Sequence, residues 1–276
     1  MPLKLDAVEM LRDTSRTFYI SIVDLPSGIR EAVISSYLSL RAIDEIEDHA
    51  SLDKQTKIDL LRAISECLER THSSVTRRLP MLLNACRVEL PEVTNRLDEW
   101  LNLPAKSIRP DIQDATSTMA RRMAYWVHNE WRINTKHDLD RYTFSVAGAV
   151  GVLLSQLWVW YDGTPSRRAD AVRYGRGLQA VNILRNRTED RSRGVDFFPK
   201  GWTEETFSSY AKANLLRGDD YVQGFPPGPA RSFCQGPQTL AYATLEALAR
   251  GESKLSRTAV LDLVGARQCI EAELRT

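Results

Sequence analysis

Long apolar runs are missing from this 276-residue sequence. The most apolar stretch, residues 146–161, is about sixteen residues long and contains Ser155 and Gln156, whereas a helix that crosses a bilayer needs about 20 predominantly apolar residues. We therefore interpret this stretch as a buried core helix, and we expect at most peripheral contact with a membrane.

An excess of charge of one sign is also missing. The 37 Lys and Arg residues nearly balance the 36 Asp and Glu residues, so the formal net charge is only +1. Domains that bind nucleic acid usually carry a basic excess, which attracts the phosphate backbone. The composition therefore argues against a nucleic-acid partner.

Cysteine is scarce, and the four cysteines are too far apart in sequence to form a metal-ligand or redox motif. A reducing compartment is the simplest interpretation. The first residues of the chain carry charge and helical periodicity rather than an apolar signal segment. We therefore predict a cytoplasmic location.

Alternation of apolar and polar residues, the pattern of a half-buried strand, is almost absent. Apolar residues instead recur at intervals of three and four between Pro- and Gly-containing breaks, which predicts an all-α fold. The breaks are too short for interdomain linkers, so we predict one domain over residues 1–276. The predicted helices cover residues 4–20, 29–49, 53–72, 73–87, 92–101, 109–133, 138–161, 166–191, 203–217, 229–250 and 256–274.

The predicted helix over residues 29–49 carries a polar stripe on an otherwise apolar surface. Its members are spaced by four, three and four residues: Tyr37, Arg41, Asp44 and Asp48. That spacing places them within about 60° on one face of an α-helix. Two carboxylates four residues apart can bind magnesium that bridges to a diphosphate, and Glu47 is close enough to contribute. The alternative is a solvated helix end in which Arg41 pairs within its own helix.

The predicted helix over residues 166–191 carries a second polar stripe, which consists of Gln179, Asn182, Asn186 and Asp190. Three amides in a row on an apolar helix are unusual. Opposite the first stripe they would complete a metal and diphosphate site, and Arg185 and Arg187 could bind phosphate oxygens bidentately. The alternative is that the amides are ordinary exposed residues.

Five separated segments carry a recognisable pattern: residues 15–18, 37–48, 142–151, 179–199 and 233–245. In this order they resemble segments of the squalene and phytoene synthases, and the fifth resembles the squalene synthase branch more than the phytoene synthase branch. The resemblance implies an isoprenoid-synthase helical bundle around a central apolar cavity. It also implies an enzyme that joins two prenyl diphosphates head to head.

The resemblance implies roles for most residues of the two stripes. Magnesium would be held by Asp44, Glu47, Asp48, Asn186 and Asp190. The diphosphates and prenyl chains would contact Ser15, Arg16, Phe18, Tyr37, Arg41, Gln179, Asn182 and Arg185. Tyr142 would act as the general base or proton shuttle while a cyclopropyl intermediate forms.

The chain departs from the family pattern at two places. Asn186 stands where the second motif usually begins with aspartate, so a metal would lose an anionic ligand there. The resemblance implies NADPH as a further cofactor, with Asn182, Lys254 and Arg257 as its candidate contacts. However, Ser256 stands where squalene synthases have a basic residue, which argues against reduction by NADPH.

We therefore expect a Mg²⁺-dependent enzyme, a monomer or a homodimer, that converts prenyl diphosphates to a C30 product such as squalene. Farnesyl diphosphate is the expected substrate, and a presqualene-type diphosphate is the expected intermediate. Two alternatives stay open. Because of Asn186, the same scaffold could work as a terpene cyclase or prenylate a different acceptor. The chain could also be a helical binding protein that has lost its metal.

Overall fold

The fold is known from a computed structural model that describes residues 5–15, 18–70, 75–252 and 255. Within these ranges the chain forms thirteen α-helices and one π-helical turn and contains no strand, which confirms the all-α prediction. In chain order the helices are α1 Leu5–Thr14, α2 Tyr19–Val23, α3 Ile29–Asp48, α4 Lys54–Arg70, α5 Val75–Asn84, α6 Glu92–Asn95, α7 Leu97–Asn102, α8 Arg109–His128, α9 Lys136–Thr143, the π-helical turn Phe144–Gly148, α10 Ala149–Asp162, α11 Arg168–Ser192, α12 Glu204–Gln223 and α13 Pro229–Ala249.

The predicted boundaries were accurate for four long helices and wrong for the helices near residues 4–20 and 92–101 and for the end of α12. Helices α3, α4, α11 and α13 begin and end within two residues of the prediction. The predicted helix over residues 4–20 is instead two helices, as is that over residues 92–101, and α12 continues six residues beyond the predicted end at 217. The predicted helix over residues 256–274 lies outside the described residues.

Helix α8 ends earlier than the sequence predicted, at His128 rather than at residue 133. Glu130 and Trp131 have φ angles of 54° and 47°, in the left-handed region that side-chain-bearing residues rarely adopt. The helix cannot continue through such residues. The next helix begins after Thr135, whose hydroxyl accepts a hydrogen bond from the amide of Asp138 in a capping box.

Helix α3 lies at the centre of the bundle, where it packs against α6, α7 and α8. Its apolar side chains Ile34, Leu38, Ile43 and Ile46 are fully buried. A helix that is apolar nearly all round is stable only when other helices surround it. The polar stripe of α3 is therefore carried by one of the most deeply packed elements of the protein.

Helix α11 approaches the π-helical turn and α10 unusually closely. A Cβ atom at Gly175 would lie 2.2 Å from the carbonyl oxygen of Ala147, and one at Gly151 would lie 2.2 Å from that of Ala171. Such distances are far below van der Waals contact, so only glycine fits. This contact fixes α11 against the segment that carries Tyr142.

Helices α9 and α10 are continuous through the π-helical turn, giving a 27-residue helix, Lys136–Asp162, which is apolar and long enough to cross a membrane. Core helices of soluble proteins meet the same criteria, and half of its most apolar window is buried in the bundle. Leu153, Leu157 and Trp158 are at most 2% exposed, as expected for a core helix. The cytoplasmic location stays a prediction.

We predict that Gly175→Ala destabilises the protein. The new methyl group would force α11 away from Ala147, and overpacking of this kind costs about 1 to 3 kcal/mol, which exceeds the gain of about 1 kcal/mol in helix propensity. Urea denaturation followed by circular dichroism measures the change. Arg173→Ala, at an exposed position of the same helix, is the control and should change the unfolding free energy by less than about 0.5 kcal/mol. Equal stability of the two variants would contradict the close contact.

Candidate active site

The first polar stripe is in contact with the chain segment that follows α1. The hydroxyl of Tyr37 donates a hydrogen bond to the carbonyl oxygen of Thr14 at 2.9 Å, and its ring centroid lies 6.3 Å from that of Phe18. Ser15 is buried, and its hydroxyl accepts a hydrogen bond from the amide of Phe18 at 3.1 Å. Three of the predicted substrate contacts, Ser15, Phe18 and Tyr37, therefore lie together, whereas Arg16 is outside the described residues.

Arg41 lies in the same stripe and pairs within its own helix. Its guanidinium donates to Glu45 at 2.5 Å, which is the intrahelical pairing considered as an alternative above, although with Glu45 rather than with a stripe carboxylate. Its Nε is buried and has no hydrogen-bond partner among the described residues. An unpartnered buried donor is costly, so Arg41 retains unused capacity to bind an anion.

Asp44 is half-buried one turn further along α3. Burial raises the pKa of its carboxyl group to about 7, and repulsion by Asp48 and Glu45 adds to this effect although Arg41 opposes it. The carboxylate is therefore only partly ionised near neutral pH. A cation that bound here would remove the penalty.

Glu47 is held by residues that the sequence analysis did not identify. The indole of Trp131 donates a hydrogen bond to its carboxylate, and Lys57 donates to its backbone carbonyl at 2.6 Å. Burial, together with repulsion by Asp48 and Asp44, raises the pKa of Glu47 well above its usual value. The left-handed turn at Glu130 and Trp131 is what directs the indole back toward α3.

Two amides of the second stripe accept hydrogen bonds from Arg185 and are therefore not ordinary exposed side chains. Arg185 donates to the side-chain oxygens of Asn182 at 2.7 Å and Asn186 at 3.2 Å, and Asn186 also donates to Asn182 at 3.2 Å. In this arrangement the Asn186 oxygen accepts from a guanidinium, so its predicted role as a metal ligand requires Arg185 to move. Gln179 lies half-buried on the same helix.

Arg187 does not face this cluster, contrary to the expectation that it binds phosphate. It pairs with Asp196 at 3.3 Å and Glu204 at 3.2 Å, and its Cζ lies 3.6 Å from the ring centroid of Phe198. The reason is helical periodicity, because consecutive positions around 186 point in different directions. Arg187 therefore fixes the loop between α11 and α12.

Arg193 links the two stripes and was missed by the sequence analysis. Its guanidinium forms ion pairs with Asp48 of α3 at 2.9 Å and with Asp190 of α11 at 2.7 Å. The only sequence signal was its position three residues after Asp190. Because one guanidinium reaches both carboxylates, the acidic ends of α3 and α11 meet at this point.

Tyr142 lies among the same carboxylates. It is 6% exposed, its ring stacks on Phe197 with centroids 4.5 Å apart, and Trp126 meets it edge to face at 5.4 Å. Burial raises the pKa of its phenol well above the usual value. Repulsion by all four acids of the two stripes, Glu47, Asp44, Asp48 and Asp190, raises it further. A phenolate general base does not agree with this environment, whereas a neutral phenol that relays a proton does.

The side chains around Tyr142 suit a hard divalent cation by their chemistry. No three His, Cys, Asp or Glu residues in the described part of the chain are arranged as a complete metal site. Mg²⁺ bound with a diphosphate does not need one, since it usually takes one or two protein carboxylates and completes its sphere with water and phosphate oxygens. The oxygen donors of Asp44, Asp48 and Asp190 fit that requirement. Lys254 and Arg257, the predicted NADPH contacts, lie outside the described residues.

The architecture is that of solved squalene synthase structures. A structure of TcSQS with a bound ligand superposes with a TM-score of 0.76 at 22% sequence identity, covering 94% of this chain and 84% of that chain. A dehydrosqualene synthase in complex with a ligand superposes with a TM-score of 0.59 at 17% identity, covering 97% and 96%. These similarities define the fold as the all-α fold of those structures.

Sequence comparison identifies the family. The squalene/phytoene synthase family model matches residues 11–209, and the chain therefore belongs to the squalene/phytoene synthase family. It is 30% identical to the squalene synthase of Schizosaccharomyces pombe over an alignment of 273 residues that covers 88% of this chain and 59% of the relative. It is 32% identical to that of Saccharomyces cerevisiae over an alignment of 278 residues that covers 88% of this chain and 61% of the relative. The chain thus spans about 60% of the length of these relatives.

We predict that Asp44→Asn reverses a pH-dependent loss of stability. Because the folded-state pKa is about 7 and the unfolded value is about 3.9, folding takes up a proton between these values. The stabilisation that the proton provides is complete at low pH and is lost as the pH rises through about 7. Between about pH 5 and about pH 8 the stability of Asp44→Asn relative to wild type should increase by about 2 kcal/mol. Urea denaturation without divalent ions measures this, and exposed Asp114→Asn is the control. A difference that does not vary with pH would contradict the assigned environment.

We predict that Arg193→Gln increases the stabilisation that Mg²⁺ confers on the ligand-free protein. Without its guanidinium, Asp48 and Asp190 lose their counter-charge and become available to a cation. The rise in Tm on adding MgCl₂ should be larger than that of wild type. Each additional kcal/mol of stabilisation by Mg²⁺ should raise Tm by roughly 2 to 4 °C. Arg191→Gln, in the same turn but paired only with Asp196 at 3.8 Å, is the matched control. Identical Mg²⁺ shifts in the two variants would show that Arg193 does not compete for the carboxylates.

Proposed function

We propose that this protein catalyses the Mg²⁺-dependent head-to-head condensation of two molecules of farnesyl diphosphate. The product would be a C30 compound such as squalene, formed through a presqualene-type diphosphate. Membership of the squalene/phytoene synthase family supports the reaction class, and the proposal adds the substrate, the metal and the product. The observation that carries it is the meeting of Asp48 and Asp190 at Arg193, beside a buried tyrosine.

One set of residues would bind the phosphate groups of the substrates, and a second set would bind the metal. Ser15, Tyr37 and the unpartnered Nε of Arg41 would hold one diphosphate, and the cluster of Asn182, Arg185 and Asn186 would hold another phosphate group. Asp44, Asp48 and Asp190, with Glu47 and Asn186 as further candidates, would bind Mg²⁺. When bound, Mg²⁺ would neutralise the diphosphate leaving group and so favour ionisation of the allylic carbon–oxygen bond.

Tyr142 would relay the proton released when the cyclopropyl ring closes. Its phenol stays protonated beside four carboxylates, so it can donate its proton to a neighbouring acceptor as it receives another. Phe197 and Trp126 surround the ring and exclude water from it, which protects a carbocation from premature capture. The aromatic faces can also stabilise positive charge, and the predicted central apolar cavity would house the prenyl chains.

Asn186 was the main argument for a terpene cyclase or for prenyl transfer to another acceptor. The comparisons do not favour that alternative, since the named relatives are squalene synthases. Asn186 also has a local role that needs no altered chemistry, because it holds Arg185 together with Asn182. We further propose that residues 1–276 form one domain, that the protein works as a monomer or homodimer in the cytoplasm, and that NADPH is not required for the first condensation.

Incubating the purified protein with farnesyl diphosphate and Mg²⁺, with and without NADPH, tests the proposal. Without NADPH, mass spectrometry should detect a presqualene-type diphosphate, or the C30 alcohol or more unsaturated hydrocarbon that forms when the second cation adds water or loses a proton. Squalene should appear only when NADPH supplies a hydride to that cation. Asp44→Asn and Asp48→Asn should each lower turnover by at least about a hundredfold, since the metal would lose an anionic ligand, while Asp114→Asn retains activity.

Two outcomes would contradict the proposal. If neither farnesyl nor geranylgeranyl diphosphate gave a condensed product, the head-to-head reaction would be excluded. A cyclised product from a single diphosphate would identify the protein as a cyclase. Full activity of Asp44→Asn would remove the proposed metal site and leave the reaction class untouched.

A further inference from the structure

A second concave site lies on the outer surface, where α8 faces the end of α9 and the π-helical turn. Its volume is about 200 Å³, and it is lined by Arg122, Tyr125, Trp126, Arg141, Phe144 and Ser145. None of these residues belongs to either polar stripe. Arg141 is exposed and Tyr125 is 42% exposed, so the site opens to solvent and is distinct from the candidate active site.

Two guanidinium groups in this cavity have no counter-charge. The Cζ of Arg122 lies 4.7 Å from the ring centroid of Phe144, and that of Arg141 lies 5.0 Å from the ring centroid of Tyr125. Neither forms an ion pair or a side-chain hydrogen bond with another residue in the described part of the chain. Stacking on a ring uses only the face of a guanidinium, so the five N–H donors in its plane stay available.

The carboxylate that pairs with the neighbour of Arg122 and the carboxylate that precedes Arg141 are already engaged by other cations. Glu69 pairs with Arg121 at 2.6 Å, and Asp140 pairs with Lys136 at 2.7 Å and accepts a hydrogen bond from Tyr210 at 2.8 Å. Burial, and then the charge of Arg121, lowers the pKa of Arg122, which is the effect expected where positive charge is uncompensated. Among the described residues, the lining of this cavity therefore contains two cations and no anion.

We propose that the cavity is a binding site for a phosphate group that carries two negative charges. Two guanidinium forks match the oxygens of a phosphate in number, charge and geometry. The aromatic rings that hold the arginines also limit the cavity to a compact headgroup. The phosphate can be free in solution or can belong to an anionic lipid, since both present the same group to the two arginines.

Trp126 connects this site to Tyr142. Its indole forms one wall of the cavity and donates a hydrogen bond to Ser145 at 3.2 Å. The indole also meets the Tyr142 ring in a T-shaped contact, with ring centroids 5.4 Å apart. A phosphate bound beside Trp126 therefore changes the electrostatic surroundings of an indole, and its fluorescence reports the binding.

Titration of the full chain with inorganic phosphate, in the absence of divalent ions and at constant ionic strength, tests the proposal. Tryptophan emission should change saturably. Arg122→Gln and Arg141→Gln should each weaken binding by about tenfold or more, because each removes a charge-assisted contact. Arg173→Gln on α11 controls for net charge. Arg185→Gln identifies any separate binding of phosphate at the candidate active site, and the response that Arg122→Gln and Arg141→Gln weaken should keep its affinity in both controls.

Vesicles of phosphatidylcholine with and without phosphatidic acid distinguish the two sources of phosphate. A saturable response to inorganic phosphate that Arg141→Gln abolishes supports a free ligand. Co-sedimentation with phosphatidic acid vesicles alone, lost in the same variant, supports a lipid headgroup. Arg141 is exposed, so this variant should retain the wild-type thermal transition. If Arg122→Gln and Arg141→Gln bind both probes as wild type does, or if no probe binds wild type, the proposal is wrong.

Discussion

Four carboxylates lie around one buried phenol, and several of the surrounding contacts compensate their negative charge. Asp44, Glu47 and Asp48 come from α3, and Asp190 comes from α11, yet all four act on the pKa of Tyr142. Like charges in a half-buried site repel one another and lose hydration. The protein must therefore supply cations, protonate some of the acids, or bind a cation from outside.

The structure compensates this negative charge in two ways, by pairing with a cation and by protonation. Arg193 pairs with the acid at the end of each helix, and the raised pKa of Asp44 keeps part of the charge unformed. Each solution is reversible, since an arginine can rotate away and a carboxyl group can lose its proton when a metal arrives. The site is therefore held together without a bound cation, and both forms of compensation are compatible with the proposed metal role. The amides of Asn182 and Asn186 add no further negative charge, which lowers the demand for compensation on the α11 side.

The sequence was sufficient for the parts of this arrangement that depend on local periodicity. The stripe of α3 could be predicted because its four members, Tyr37, Arg41, Asp44 and Asp48, repeat at helical spacing. The ends of the helix could be predicted from Gly28 before it and from the polar residues after it. Contacts between distant segments could not be predicted in the same way. Arg193 meets Asp48 across 145 positions, and Trp131 meets Glu47 across 84. The turn that directs Trp131 uses two left-handed residues without glycine, so no local signal marks it.

The end of α11 joins three of these features within a single turn of chain. Arg193 is followed by Gly194, whose φ of 83° reverses the backbone, and the amide of Val195 donates to the carbonyl of Asp190 at 3.1 Å. Phe197, only three positions beyond that glycine, lies flat against Tyr142. Arg193, which pairs with the two acids, and Phe197, which covers Tyr142, therefore lie on one short segment of chain. A displacement of this backbone segment would therefore move the guanidinium that pairs with Asp48 and the ring that covers Tyr142 together.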